Sequence, residues 1–173
     1  MSTVPLGSRL GFVALLASGL AVSQPAGRVE PRFEDFPVAE VFQGAPAPPV
    51  LATAMHQRYR TRIRDGAGAR PNFAGHYSVI RWGCGSNCQM MAIVDAKTGT
   101  IYNPPLAESG MDLYVNLDML SPAEVDFKRD SSLMVLRNGC RFARSECGVY
   151  YFNWRNNKFS LVKRVLIDLT KEP

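Results

Sequence analysis

Histidine and cysteine are both scarce in this chain of 173 residues: two histidines, His56 and His76, and four cysteines, Cys84, Cys88, Cys140 and Cys147. Both histidines precede every cysteine, so a thiol nucleophile would have no downstream base, which argues against cysteine catalysis. A zinc site built from Cys84-x3-Cys88 with Cys140 and Cys147, or with His76, does not match the short ligand spacings such sites use. No phosphate-cradling loop, calcium loop or dinucleotide fingerprint occurs. Asp112, Asp118, Asp126 and Asp130 show no paired spacing suited to general acid–base work. Past the first 22 residues no apolar run is long enough to cross a bilayer. No catalytic residue, metal or cofactor is therefore expected.

What is present begins with a short, weakly positive head, Met1 to Arg9, and an apolar run of 13 residues, Leu10 to Val22. The run is too short for a comfortable membrane span, and Ala21-Val22-Ser23 offers small residues where a signal peptidase reads. These features predict a secretory signal over 1–23 and a periplasmic or secreted protein, with no stable membrane insertion after cleavage. Residues 24–50 carry six prolines and several charges, the composition of a linker that holds the domain away from its N-terminus. Phe33, Phe36, Val41 and Phe42 are apolar enough for part of it to lie on the domain surface. Residues 51–173 have the length and apolar content of one globular domain. The net charge of +5 either simply keeps the protein soluble or favours anionic partners such as a membrane surface, an anionic polymer or an acidic envelope protein.

In the domain, Leu51, Met55, Tyr59 and Ile63 recur every fourth residue, which predicts an amphipathic helix over 51–65 stopped by Gly66 and Gly68. Arg58, Arg60, Arg62 and Arg64 fill its other faces, either as a solvated surface or as an anion-binding one. Gly75 to Trp82 alternates as a strand, with His76, Ser78, Ile80 and Trp82 on one side and Tyr77, Val79 and Arg81 on the other. Gly83 to Cys88 reads as a sharp loop, and Met90 to Val94, apolar throughout, as a strand covered on both faces. Further short strands are expected at 113–117, 125–127, 133–137, 149–154 and 159–167, with a helical turn or bend at 121–124 and a tight hairpin at Arg155 to Lys158. The expected fold is mainly β: an antiparallel sheet domain, a sandwich or a strongly curved sheet, with one N-terminal amphipathic helix.

In an exported chain four cysteines read first as two disulfides, with three connectivities open. Pairs Cys84–Cys88 and Cys140–Cys147 would each close a loop between neighbouring strands. Around the first loop, His76, Arg81, Trp82, Ser86 and Asn87 form the candidate binding surface. A Ser–His–Asp set from Ser78 or Ser86, His76 and Asp95 can be written down, but nothing marks a nucleophile elbow. The aromatic and basic residues Tyr150 to Arg155 could stack sugars or bases; an exported protein seldom meets nucleic acid, so hairpin packing is the simpler role.

The segments Arg60–Arg64, Pro71–Tyr77, Trp82–Gly85 with Cys88, Ile93–Gly99 and Cys147–Trp154 resemble a family of uncharacterised exported bacterial proteins. The resemblance covers about Leu51 to Val165 and implies an exported bacterial protein; it carries over no activity and no catalytic residue. The second half also resembles a propeller blade in its local turns, although a domain this small does not close a propeller. The expected function is a non-enzymatic binding or inhibitor-type module of the bacterial envelope. The alternative is a hydrolase centred on His76.

Overall fold

The computed structural model describes Met1 and residues 30–85, 88–105, 112–115, 124–139 and 147–166. The expected signal segment, Ser86, Asn87, the bend before Glu124 and Cys140 lie outside the described residues.

The domain is mainly β, built on two antiparallel four-stranded sheets. The first contains β1 (Tyr77–Gly85), β2 (Cys88–Asp95), β3 (Ile101–Tyr102) and β4 (Asp112–Val115). Strand β2 pairs along its length with β1, while β3 and β4 pair with its two ends, at Ile93–Val94 and Cys88–Met90. The second is a meander of β5 (Glu124–Phe127), β6 (Leu133–Gly139), β7 (Gly148–Arg155) and β8 (Lys158–Leu166).

Alternation decides the layers. Tyr77 and Val79 of β1 and Met91 and Ile93 of β2 point towards the second sheet, where Met134, Leu136, Tyr150, Phe152 and Trp154 complete a shared core. Ile80, Trp82, Met90, Ala92 and Val94 point the other way, onto Ile63, Ala67, Leu51, Met55 and Tyr59. With helices on one side and a sheet on the other, β2 has no solvated face, which is why it is apolar at every position from Met90 to Val94.

The helical layer departs from the expected single helix. It consists of α1 (Ala54–Arg58) and α2 (Arg60–Ala67), separated at Tyr59, whose φ of −105° and ψ of 19° interrupt the helical run. Thr53 caps α1 by accepting the His56 amide at 3.1 Å. Gly66 does not end the helix but lies inside α2, where a Cβ would meet the Ile80 side chain at 2.6 Å. The sheet approaches the helix too closely for any side chain there.

The Gly83–Cys88 loop also differs from expectation. Gly83 pairs with Gln89 and Gly85 with Cys88 across a register slip, so the glycines belong to a bulged strand end.

Residues 30–50 do not hold the domain at a distance. They lie as a strap over it, with Phe33 and Phe36 covering Leu133, Val135 and Tyr151 on the outer face of the second sheet. The amides of Val38, Phe42, Ala47 and Val50 donate to the carbonyls of Asp130, Gly75, Ala96 and Gly99. Prolines remove donors but leave these four free to bond, so an extended proline-rich segment can still be anchored through its backbone.

Candidate ligand groove

The β7–β8 hairpin turns at Asn156 and Asn157, with φ of 51° and 60°. Asparagine tolerates this left-handed conformation, which matches the twist of a two-residue hairpin. The turn places the Asn157 side-chain oxygen 2.6 Å from the Tyr77 hydroxyl, which donates to it across 80 residues of sequence. One bond thus ties the tip of the second sheet to the first strand of the other.

Around that bond the aromatic rings converge. Trp154 lies 5.1 Å from Tyr77, 5.5 Å from Tyr102 and 4.6 Å from Phe159, measured between ring centroids. The first two contacts are edge-to-face, the arrangement favoured by ring quadrupoles. Beside this cluster opens a groove of about 410 Å³ lined by Tyr102, Trp154 and Phe159, by Pro104 and Pro105, and by Asn103, Asn157 and Lys158. It combines ring surface with two side-chain amides and one cation, the mixture that orients a small polar ligand on an apolar floor. Burial raises the Tyr77 pKa, with Trp154 partly opposing it, so the phenol is a donor at neutral pH. Trp154 Nε1 is buried near that hydroxyl without a well-formed hydrogen bond.

His76 adjoins the same cluster. Its ring is 4.1 Å from that of Tyr77, and its Nε2 is 3.9 Å from Asp95 Oδ1. Burial lowers the His76 pKa, Asp95 and Glu40 raise it in part, and Lys97 lowers it, so the imidazole is neutral at pH 7. Asp95 is buried and also accepts the Lys97 amide at 2.8 Å. Ser78 is buried with no hydrogen-bond partner for its hydroxyl, so it is not bonded to His76.

The remaining residues of the expected binding surface are not gathered with His76. Trp82 is only 7 % exposed and lies 5.2 Å from Tyr59 in the helix-facing core. Arg81 is exposed and, one residue earlier on the strand, points to the opposite face. Six residues of strand, about 20 Å, separate Trp82 from His76. Ser86 and Asn87 lie outside the described residues. Trp154 belonged to an aromatic run legible in the sequence. Nothing there joined it to Tyr102, Asn103 or Lys158, because a long-range turn contact brings them together.

Among the described residues no cysteine is free. Cys84 and Cys147 are disulfide-bonded. Among the described residues no group of three or more histidine, cysteine and carboxylate side chains is placed to hold a metal ion. No protein-family model, curated protein or solved structure matches the chain.

Proposed function

We propose that this is an exported, non-enzymatic binding module of the bacterial envelope, and that its groove takes a short stretch of glycan. The observation that carries this is the lining of the groove, where the half-buried rings of Tyr102 and Phe159 and the largely buried Trp154 lie beside Asn103, Asn157 and Lys158. Sugars present apolar ring faces edged by hydroxyls, and aromatic surface with amides at its margin complements both. The N-terminal apolar run with its small residues supports delivery to the periplasm or beyond.

Two disulfides, Cys84–Cys88 and Cys140–Cys147, suit that compartment. The strand register supports them. Cys88 pairs with Gly85, the neighbour of Cys84, and Gly148, the neighbour of Cys147, pairs with Gly139, which precedes Cys140 in sequence.

Co-sedimentation with purified peptidoglycan sacculi tests the binding function. The wild-type protein is expected in the pellet, and an Asn103→Ala, Lys158→Ala double variant in the supernatant; equal pelleting of the two would discard the groove as the site. The His76–Asp95 pair favours a second possibility, a hydrolase with His76 as base. If products formed from sacculi by the wild type disappear with His76→Ala, the hydrolase is correct.

A further inference from the structure

The structure points to a second contact surface, separate from the groove: we propose that the α1–α2 layer docks on an anionic phospholipid surface through Arg58, Arg60, Arg62, Arg64 and Arg70. Residues 51–82 contain six arginines against one carboxylate, Asp65, a net charge of +5. The helical layer and the strand beneath it are thus strongly basic.

All five arginines of the layer are exposed. Among the described residues the ion pairs are Arg32–Asp35, His76–Asp95, Lys128–Glu34 and Arg137–Asp126, and none involves this layer. Arg58 rests over the Tyr59 ring at 5.8 Å, and Arg60 reaches the Gln57 carbonyl at 3.4 Å; neither contact neutralises a charge. With Ile63 and Ala67 buried below, Arg60 and Arg64 fall on one flank of α2 and Arg62 on the other. The guanidinium groups are thus spread over the exposed sides of the helical layer and do not converge on one point.

That spread selects the partner. A small anion occupies a cleft, whereas a leaflet presents many phosphates in a plane and can meet several spread guanidinium groups at once. Every cation in the layer is arginine, whose planar fork matches phosphate oxygens in a way the lysine ammonium does not. Val50, 54 % exposed just before α1, adds apolar contact at the headgroup boundary.

The test is co-sedimentation of the full chain with vesicles of phosphatidylcholine alone, or with about a third of the lipid replaced by phosphatidylglycerol. Binding is expected only to the anionic vesicles, falling as salt is raised. A variant with Arg58, Arg60, Arg62 and Arg64 all changed to Gln should lose about fivefold in affinity per arginine removed, with its circular dichroism unchanged because the four are exposed. Equal binding to both vesicle types, or wild-type binding by the Gln variant, would overturn the proposal. So would binding to inorganic polyphosphate without binding to vesicles, which would assign the layer to a soluble polyanion. The Asn103→Ala, Lys158→Ala variant should still bind vesicles, so failure of the groove and failure of the arginine layer are read separately.

Discussion

Gly99 and Pro48 are in backbone contact: a Cβ on Gly99 would collide with the Pro48 carbonyl oxygen. Gly99 has a φ of +75°, so two requirements, a left-handed turn and a close neighbour, fall on one residue. Gly75, with a φ of +82°, meets the Glu40 carbonyl in the same way. The strap is pressed against the domain at two glycine turns and hydrogen-bonded beside each, through Val50 to Gly99 and Phe42 to Gly75.

Gly99→Ala should therefore destabilise the fold by about 2 kcal/mol or more, since backbone strain and displacement of the strap add. Urea unfolding measures the loss. Limited proteolysis should show cleavage within residues 36–50 at denaturant concentrations that leave the rest folded. An unchanged urea midpoint would mean that the strap does not bear on Gly99 in solution.

Ser131 is the second anchor of the strap. Its hydroxyl is buried, lies 2.8 Å from the Phe33 carbonyl and 3.1 Å from that of Phe36, and accepts the Leu133 amide at 3.2 Å. Ser131→Ala should cost about 1–3 kcal/mol, because it strands buried backbone groups rather than exposing them to water. Chemical denaturation reads this directly, and Ser131→Thr should recover part of the loss.

The bond between Tyr77 and Asn157 is separable from the turn that holds it. Tyr77→Phe should cost about 1 kcal/mol. Asn157→Gly keeps the left-handed turn, for which glycine is suited, and loses the same bond. The double variant should then be less destabilised than the sum of the two by about 1 kcal/mol. Strict additivity would show that the bond contributes nothing in solution.

Acid should weaken the fold in a defined window. Burial lowers the pKa of both His56 and His76 from the ordinary 6.5. For His76, Asp95 and Glu40 oppose the shift and Lys97 reinforces it. The unfolded chain then binds more protons than the folded one below about pH 6.5. Stability should be level above neutral pH and fall between about pH 6.5 and pH 5, before carboxylates titrate. His56→Gln and His76→Gln together should flatten the urea midpoint across that window.

Much of the sheet framework was legible because burial follows strand period: Tyr77 and Val79 against Ile80 and Trp82, and the unbroken Met90 to Val94, indicated their layers directly. The strap was not. Its prolines and charges have the composition of a linker, and its attachment is through backbone amides and glycine turns that leave no periodic trace. Trp82 suggested a surface because strand alternation gives two faces without saying which one is covered; Tyr59, more than twenty residues earlier, covers it. The groove was hidden for a related reason, since a side-chain bond from Tyr77 to Asn157 assembles it and no local spacing encodes that contact.

The two tryptophans make the groove directly measurable, because both are largely buried but only Trp154 lines it, while Trp82 lies under the helices. In a Trp82→Phe protein the emission comes from Trp154 alone, and this protein would be titrated with soluble glycan strands released from peptidoglycan. A glycan-binding groove requires a saturable change in Trp154 emission, weakened at least tenfold, roughly the loss of one charge-assisted hydrogen bond, when Asn103 and Lys158 are changed to Ala. A flat titration at every glycan concentration, in a protein folded by circular dichroism, would contradict it.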